Sequence, residues 1–428
     1  MSVIGLLGFA TVVLLAVGLL HGYLWFRLVR STTERGRLRK RLTWLTVVLA
    51  LLPVLAVIAR GQLPLAAAAP LSWVGFVWLG VAMYAFLALL ALEPVRAVGN
   101  ALIKRKEGMV VASGPRRGPR SDDEAAHPDG GTAAEGGAVR QDRDVTAPSR
   151  RLFLARSLAV TAGAVALGTA GTGAYFANSA PVVRRVPITL PRLDPALDGL
   201  RIVTFSDGHL GATYGGRRFE RLVEIVNEQR PDVVAIVGDL VDDTVEELRE
   251  DVAPLVDLVS EQGVYFVTGN HEYFTETQAW LRHLPTLGVE VLRNERVPIV
   301  RGSASFDLAG IDDRTAAASG LPGHGADLAA ALDGRDDTTP VVLLAHQPVM
   351  VDQAAQAGVD LQLSGHTHGG QLWPFDYAIR LDQPAVEGLS RHGDTQLYVS
   401  AGAGYWGPPM RIGARPEVTV VELRAPGR

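Results

Sequence analysis

Three long apolar runs stand near the start of this 428-residue chain. They extend from Val3 to Trp25, from about Leu42 to Ile58 and from about Leu71 to Leu92. Each is long enough to cross a bilayer as a helix, and none has the polar face of an amphipathic core helix. Backbone groups in hydrocarbon must be bonded within their own segment, so such runs have to be helical. The sequence therefore predicts a three-span membrane region over residues 1–106.

The charges between these runs predict an orientation. The loop between the first two runs carries seven basic residues against the single acidic Glu34, and the next loop carries only Arg60. Four more basic residues, Arg96, Lys104, Arg105 and Lys106, follow the third run. By the positive-inside rule the first and third of these loops are cytoplasmic, and the N-terminus is outside. No basic region precedes the first run, which argues against a cleaved signal peptide.

A second membrane signal follows a low-complexity segment. Residues 107–149 are rich in Gly, Ala, Pro, Asp and Arg, and this composition predicts a disordered cytoplasmic linker. Next come Ser149-Arg150-Arg151-Leu152-Phe153-Leu154 and an apolar run from about Leu158 to Phe176. This pattern resembles a twin-arginine export signal, which would make the twin-arginine export machinery a partner. The alternative is an ordinary fourth span. Under either interpretation residues 150–180 cross the membrane outward, and the rest of the chain is extracytoplasmic.

Composition excludes several kinds of site. The chain has no cysteine, so it has neither a disulfide nor a thiol nucleophile. Its lysines are confined to Lys40, Lys104 and Lys106, which leaves the C-terminal half without a P-loop or Schiff-base lysine. A net charge of −4 gives no support for nucleic-acid binding.

The second half of the chain, from about Val183 to Arg428, alternates strand and helix patterns. The predicted helices are Arg217–Glu228 and Val245–Glu261. The predicted strands are Leu200–Phe205, Val233–Val237, Val264–Thr268, Val297–Val300, Phe306–Ala309, Val341–Leu344, Leu361–Leu363, Leu397–Val399 and Val418–Leu423. Continuous β-branched runs of this kind predict an α/β domain whose sheets are covered on both faces.

Polar motifs follow five of these strands. They are Asp207-Gly208-His209, Gly238-Asp239, Gly269-Asn270-His271-Glu272, His346 and Gly365-His366-Thr367-His368-Gly369-Gly370-Gln371. Taken singly, Asp207 could be a helix N-cap, Asp239 a turn residue and Asn270 a loop residue. However, five of the ten histidines fall inside these motifs. Ligands bind beyond the carboxyl ends of strands in open α/β sheets, so the set predicts a metal site.

These motifs, in this order, resemble the calcineurin-like metallophosphoesterase family. The resemblance covers about Arg201 to Leu423, and His346-Gln347-Pro348 together with Gly407-Pro408-Pro409-Met410-Arg411 point to its membrane-anchored, exported bacterial branch. That branch usually has leucine where this chain has Gly208, a difference that removes no ligand. The resemblance implies a four-layer α/β/β/α sandwich with two metals, preceded here by the helical membrane region.

The resemblance also implies residue roles. The first metal would be held by Asp207, His209 and His368, the second by Asn270, His346 and His366, and Asp239 would bridge both. Such mixed ligands suit two divalent ions of Mn, Fe or Zn. His271 would be the catalytic residue that protonates the leaving oxygen. Glu272 would orient His271 or contact substrate, and Arg411 would bind substrate phosphate or pair with an acid. Asp242 and Asp243 would support the site or simply begin a helix.

The sequence thus predicts a multi-pass protein of the bacterial cell membrane with an extracytoplasmic phosphoesterase domain. It would hydrolyse a phosphomonoester or phosphodiester with metal-activated water, and its location suggests a lipid or envelope-linked substrate. The alternative is a membrane sensor or scaffold whose domain binds ligand without turnover. A transporter is disfavoured because the apolar runs contain almost no charge.

Overall fold

The structure is a computed structural model that describes residues 3–112 and 149–427. Its first half is helical: α1 is Val3–Leu24, continued by a π-helical segment, Trp25–Arg30, and the next helices are α2 (Arg37–Arg60), α3 (Leu65–Ala91), α4 (Glu93–Ala112) and α5 (Arg150–Ala177). Within the described residues, four helical segments are long and apolar enough to span a membrane: Thr11–Arg30, α2, α3 and α5. This confirms the predicted multi-span helical region.

The predicted linker over residues 107–149 lies mostly outside the described residues. Its first residues continue α4 as far as Ala112, and Ser149 caps α5 by accepting a hydrogen bond from the Leu152 amide. Ser149 therefore begins a helix, as expected for a side-chain oxygen placed just before an apolar helical run.

The helices form a bundle with two chemically different ends. At one end Arg27 and Arg96 pair with Glu93 at 2.7 and 2.9 Å. At the other end, Arg60 finishes α2 and Ala177 finishes α5, and this end contacts the second half of the chain. Helix α3 packs closely on α2, because a Cβ added at Gly75 would lie 2.9 Å from the Leu52 carbonyl oxygen.

The second half contains two six-stranded sheets. The first has the order β1-β12-β2-β3-β4-β5 and the second the order β10-β11-β9-β8-β7-β6. The strands are β1 (Val182–Thr189), β2 (Arg201–Phe205), β3 (Val233–Val237), β4 (Val264–Val267), β5 (Val289–Val291), β6 (Glu295–Arg301), β7 (Ala304–Gly310), β8 (Val341–Leu344), β9 (Leu361–Ser364), β10 (Gly388–His392), β11 (Thr395–Val399) and β12 (Glu417–Arg424). The helices are α6 (Arg217–Glu228), α7 (Val245–Val252), α8 (Thr277–His283), α9 (Leu328–Leu332), α10 (Val351–Gln356) and α11 (Phe375–Ile379).

Strand alternation explains how the layers stack. In β3, Val233, Ala235 and Val237 point into the core between the two sheets, where they join Leu344 and Leu363 of the second sheet. The intervening residues of β3 point outward to α6, α7 and α8, which cover the first sheet. Helices α9 and α10 cover the second sheet. Because successive residues face opposite layers, a fully apolar strand such as β3 is buried on both sides. The predicted α/β/β/α sandwich is confirmed.

Some predicted boundaries were wrong. The helix predicted over Val245–Glu261 ends at Val252, and a short 3-10 segment, Ala253–Asp257, follows it. Pro254 explains this, because proline cannot donate the backbone hydrogen bond that a continuing helix needs. Strands β1, β5 and β10 were not predicted. The exposed Arg184 and Arg185 interrupt the apolar pattern of β1, which is typical of a strand at a sheet edge.

Candidate metal centre

The five motifs meet where parallel strands of both sheets end. Strands β2, β3 and β4 are parallel neighbours in the first sheet, and β8 and β9 are parallel neighbours in the second. Their carboxyl ends therefore share an edge, as expected for ligand sites in open sheets. A direct link joins the two sheets, because the His366 amide donates to Asp207 Oδ1 at 3.0 Å.

One group of ligand atoms brings together Asp207, His209 and His368, within 4.8 Å of one another. His368 Nε2 lies 3.0 Å from His209 Nε2 and 3.4 Å from Asp207 Oδ1. Arg411 can only donate to His368 Nδ1, so a neutral His368 ring carries its hydrogen on Nε2. A cation bound by this group would take a lone pair on His368 Nε2, which requires the other tautomer of the neutral ring, with its hydrogen on Nδ1.

A second group brings together Asp239, His346 and His366, also within 4.8 Å. His346 Nδ1 donates to the Val237 carbonyl at 2.8 Å, which leaves a lone pair on Nε2. That nitrogen is buried and lies 3.1 Å from Asp239 Oδ2, yet it forms no hydrogen bond with any described residue. Two electron-rich atoms at this distance repel each other unless a proton or cation lies between them, so the arrangement fits a cation.

Asn270 supplies a further candidate metal ligand. Its side-chain oxygen, Oδ1, is buried and has no hydrogen-bond partner among the residues that the structure describes. A buried amide oxygen without a partner costs about 1–3 kcal/mol. Coordination of a metal would satisfy it. The oxygen and nitrogen atoms of both groups therefore suit two divalent metal ions with mixed ligands.

The backbone of the centre is unusual. Five of the predicted ligands have positive φ: Asp207 at 55°, His209 at 47°, Asp239 at 52°, His366 at 71° and His368 at 53°. Non-glycine residues in this region each cost of the order of 1–2 kcal/mol, and such strain concentrates at functional sites. Gly238 is needed here for a different reason. A Cβ at that position would lie 2.6 Å from His346 Nδ1.

His271 stands beside both groups and is held by two acids. Its amide donates to Asp239 Oδ1 and its ring Nδ1 bonds Asp242 Oδ1, both at 2.8 Å. Burial lowers the pKa of His271, but Asp239 and Asp242 outweigh it and raise that pKa to about 9. The side chain is 13% exposed, so solvent reaches part of the ring. The rings of Phe274 and Trp406 flank it at 5.2 and 5.6 Å.

Asp242 links His271 to the first group. The same oxygen, Oδ1, also bonds Nδ1 of His209 at 2.9 Å. Burial raises the pKa of Asp242, but His209 and His271 outweigh it and lower that pKa below its usual range. An ionised Asp242 accepts from both rings at Nδ1 and turns both Nε2 atoms away from itself. Sequence analysis considered Asp242 without choosing between a supporting role and a helix start, and the structure gives it the supporting role.

The contacts of Glu272 differ from those predicted for it. The side chain is buried, and its carboxylate accepts backbone hydrogen bonds from Gly269, Asp239, Leu240 and Val241 at 2.6–3.3 Å. Burial, with the nearby Asp239, raises the pKa of Glu272 to about 7. It therefore shapes the loop that carries Asp239, and Asp242 is the residue that orients His271.

The contacts of Arg411 also differ from those predicted for it. The side chain is fully buried, and its guanidinium donates to the carbonyls of His368, Ala401, Gly402 and Gly404 and to His368 Nδ1. Burial lowers the pKa of Arg411 to about 10. No donor is left for a substrate phosphate. Arg411 instead holds the loop of His368 against the loop that follows β11.

Sequence analysis also missed Arg60. This residue ends α2, and its guanidinium lies 3.4 Å from Asp242 Oδ2. In the sequence, Arg60 was distinguished only as the single charged residue of its loop. No sequence pattern predicts the contact between Arg60 and Asp242, which are 182 positions apart.

An α/β/β/α sandwich with carboxylate, imidazole and amide groups clustered at joined strand ends defines a metallophosphoesterase. Comparisons with known proteins agree. Residues 200–370 match the family model of the calcineurin-like phosphoesterases. A transmembrane protein with metallophosphoesterase domain from Danio rerio is 43% identical over 259 residues, covering 59% of each chain. An uncharacterized metallophosphoesterase of Helicobacter pylori is 37% identical over 278 residues, covering 64% of this chain and 73% of its own.

A third relative, from Bacillus subtilis, is an uncharacterized metallophosphoesterase that is 31% identical over 288 residues, covering 65% of this chain and 98% of its own. The chain belongs to the calcineurin-like metallophosphoesterase family. The predicted resemblance is confirmed, and the relatives include both bacterial and transmembrane proteins. The chain spans 59% and 64% of the lengths of the two transmembrane relatives, from Danio rerio and Bos taurus.

Proposed function

We propose that this protein is a membrane-anchored, binuclear-metal phosphoesterase that hydrolyses phosphomonoesters or phosphodiesters. The observation that carries the proposal is the pair of ligand groups at the joined sheet edges, with His346 Nε2 and Asn270 Oδ1 buried and unpaired. When bound, two divalent ions of Mn, Fe or Zn would neutralise phosphate charge and activate the attacking water.

The contacts support the residue roles that the family resemblance implies. Asp207, His209 and His368 would hold one ion, and Asn270, His346 and His366 the other. Asp239 would serve both, because its Oδ2 lies 3.8 Å from His209 Nε2 and 3.1 Å from His346 Nε2. The Asp239 carboxylate thus lies near one nitrogen ligand of each proposed ion.

His271 would donate a proton to the leaving oxygen. Its Nδ1 is bonded to Asp242, so Nε2 is the nitrogen that would donate, and the rings of Phe274 and Trp406 lie beside the imidazole. An ionised partner at Nδ1 stabilises the protonated ring and fixes its orientation, as a general acid requires.

The chain's own groups favour direct attack by water over a covalent intermediate. The sequence contains no cysteine. The Ser206 hydroxyl donates to Asp207 Oδ2 at 2.5 Å, so its proton is directed at a proposed metal ligand.

We also propose a location. The basic loops support a catalytic domain outside the cytoplasm of a bacterial cell, and α5 would carry a twin-arginine-like signal. Domain and bilayer are held together, which favours a lipid or envelope-linked phosphate ester as substrate. The alternative, a sensor or scaffold that binds ligand without turnover, requires an incomplete centre. All seven predicted ligands and His271 are present.

The test uses the full chain in detergent. The protein is stripped with chelator, and Mn, Fe, Zn or Mg is restored singly before assay with a nitrophenyl phosphodiester and the matching monoester. Turnover restored by metal in wild type and lost in both His271→Ala and Asp239→Asn supports the enzyme, and the ratio of the two rates selects the ester class. Stoichiometric metal binding without turnover of either ester would instead support the sensor.

A further inference from the structure

A rim of exposed apolar side chains lies beside the metal centre. It consists of Trp373, Phe375, Tyr377 and Leu381 on and around α11, together with Trp406, and each of these side chains is more than half exposed. Scattered exposed apolar residues are ordinary, but five large ones on two neighbouring segments require an explanation.

The apolar rim is attached to the metal centre. The Trp406 ring lies 5.6 Å from the His271 ring. Gln371, which ends the motif containing His366 and His368, accepts from the Trp406 amide at 3.0 Å and donates to the Trp406 carbonyl at 2.8 Å. Trp373 follows two residues later. The rim and the ligand loop are therefore joined by direct hydrogen bonds.

The same rim is attached to the membrane helices. The Tyr84 hydroxyl in α3 donates to the Trp373 carbonyl at 2.9 Å. Leu372 and Met410, which flank the rim segments, are buried in the cluster formed by α1, α3 and α5. The Arg411 amide donates to the Gly173 carbonyl of α5 at 2.9 Å.

Helix geometry gives the depth of this contact. Tyr84 precedes Glu93, which lies at the charged end of the bundle, by nine residues. At 1.5 Å per residue this is about 14 Å, whereas the hydrocarbon core of a bilayer is about 30 Å thick. Helical side chains lean toward the helix N-terminus, so the Tyr84 hydroxyl lies closer to the catalytic side. The contact with Trp373 thus lies between the middle of the bilayer and its surface on that side.

We propose that the apolar rim is inserted into the bilayer leaflet nearest the catalytic domain and opens the metal centre to lipids in that leaflet. Tryptophan and tyrosine are the residues that prefer the membrane interface, and Arg380 on the same segment can extend toward headgroups. The substrate would be a lipid whose phosphate ester reaches the ligands while its chains stay in the bilayer. This substrate class rests on the proposed function, whereas insertion does not.

The first test measures depth in the full chain, which has no native cysteine. Tyr377→Cys and Leu381→Cys are labelled with a nitrobenzoxadiazole fluorophore in phosphatidylcholine–phosphatidylglycerol nanodiscs containing doxyl lipid. Val259→Cys is the matched control, because Val259 is also exposed but precedes β4 at the opposite edge of the sheet. We expect blue-shifted, quenched emission at positions 377 and 381 only. Emission like that of the control at both positions would overturn insertion.

The second test measures substrate use. The double variant Tyr377→Ser/Leu381→Ser is compared with Val256→Ser/Val259→Ser in proteoliposomes containing phosphatidic acid and phosphatidylglycerol, and with a soluble nitrophenyl ester. We expect turnover of the lipid to fall about tenfold in the rim variant only, since bilayer affinity scales with buried apolar area. Both variants should hydrolyse the soluble ester at the same rate.

Equal turnover of lipid by both variants would overturn a role of the rim in substrate access. If wild type hydrolyses neither ester, the proposed function fails, and the depth measurement still decides insertion.

Discussion

Arg60, the last residue of a membrane-spanning helix, lies 3.4 Å from the carboxylate of Asp242, which bonds both His209 and His271. The membrane region is therefore in contact with the residue that orients the proposed catalytic acid. The side chain of Asp242 is 7% exposed and that of Arg60 is 22% exposed, so water only partly screens the pair. Four predictions follow from this and related contacts.

Replacing Arg60 should lower kcat without removing metal from the centre. Arg60→Gln removes a charge beside Asp242 but leaves every ligand in place. A partly exposed pair is worth about 1 kcal/mol, so we expect kcat to fall about fivefold with unchanged metal content. Arg217→Gln, on the surface of the catalytic domain, serves as the control. A wild-type kcat in Arg60→Gln would show that the hairpin between α2 and α3 only anchors the domain.

Replacing Asp242 should be more damaging. Asp242→Asn keeps the shape of the side chain but removes the charge that both histidine rings face. Residues that position metal ligands typically contribute about 10–100-fold to activity or metal affinity, and we expect a loss of kcat in that range. The matched control is Asp243→Asn, because the Asp243 carboxylate accepts from the Thr244 amide instead. Equal kinetics in the two variants would refute the positioning role.

Removing one ligand should remove one ion. In Asn270→Ala or His346→Ala, we expect elemental analysis of the purified full chain to find about half of the wild-type metal, because the group around Asp207 is intact. His392→Ala, on the edge strand β10, should keep the full content. Unchanged stoichiometry in both ligand variants would contradict the assignment of these two residues.

Replacing Glu272 should destabilise the domain. In wild type each carboxylate oxygen of Glu272 accepts from two backbone N–H groups. Glu272→Gln replaces one of these oxygens by an NH2 group, which cannot accept, so two backbone donors lose their partner. Leaving such buried donors unpaired costs about 3 kcal/mol. We expect the apparent melting temperature of the full chain to fall by about 5 °C or more, measured by intrinsic fluorescence. Glu276→Gln, an exposed neighbour, should melt like wild type. A Glu272→Gln protein of normal stability that lacks turnover would instead point to a chemical role for Glu272.

Residue type and local order were enough to predict much of this protein. Apolar runs without a polar face must be membrane helices, and β-branched runs such as Val233–Val237 must be buried strands, because burial of apolar surface dominates both choices. The cluster of candidate ligands could be predicted as well, since Asp, Asn and His placed after five strands can coordinate metal, and the family resemblance supplied the proposed role of each residue.

Tertiary structure decided what depends on contacts between distant segments. Glu272 and Arg411 looked available for substrate by residue type, yet both are buried, and their hydrogen bonds go to backbone groups of neighbouring loops. Asp242 is an ordinary acid in the sequence, and only folding places it between His209 and His271. The contact of Arg60 with Asp242, and that of Tyr84 with the apolar rim, join segments more than 180 residues apart. Local periodicity carries no information about such pairs, because they form only when the helices and both sheets have packed.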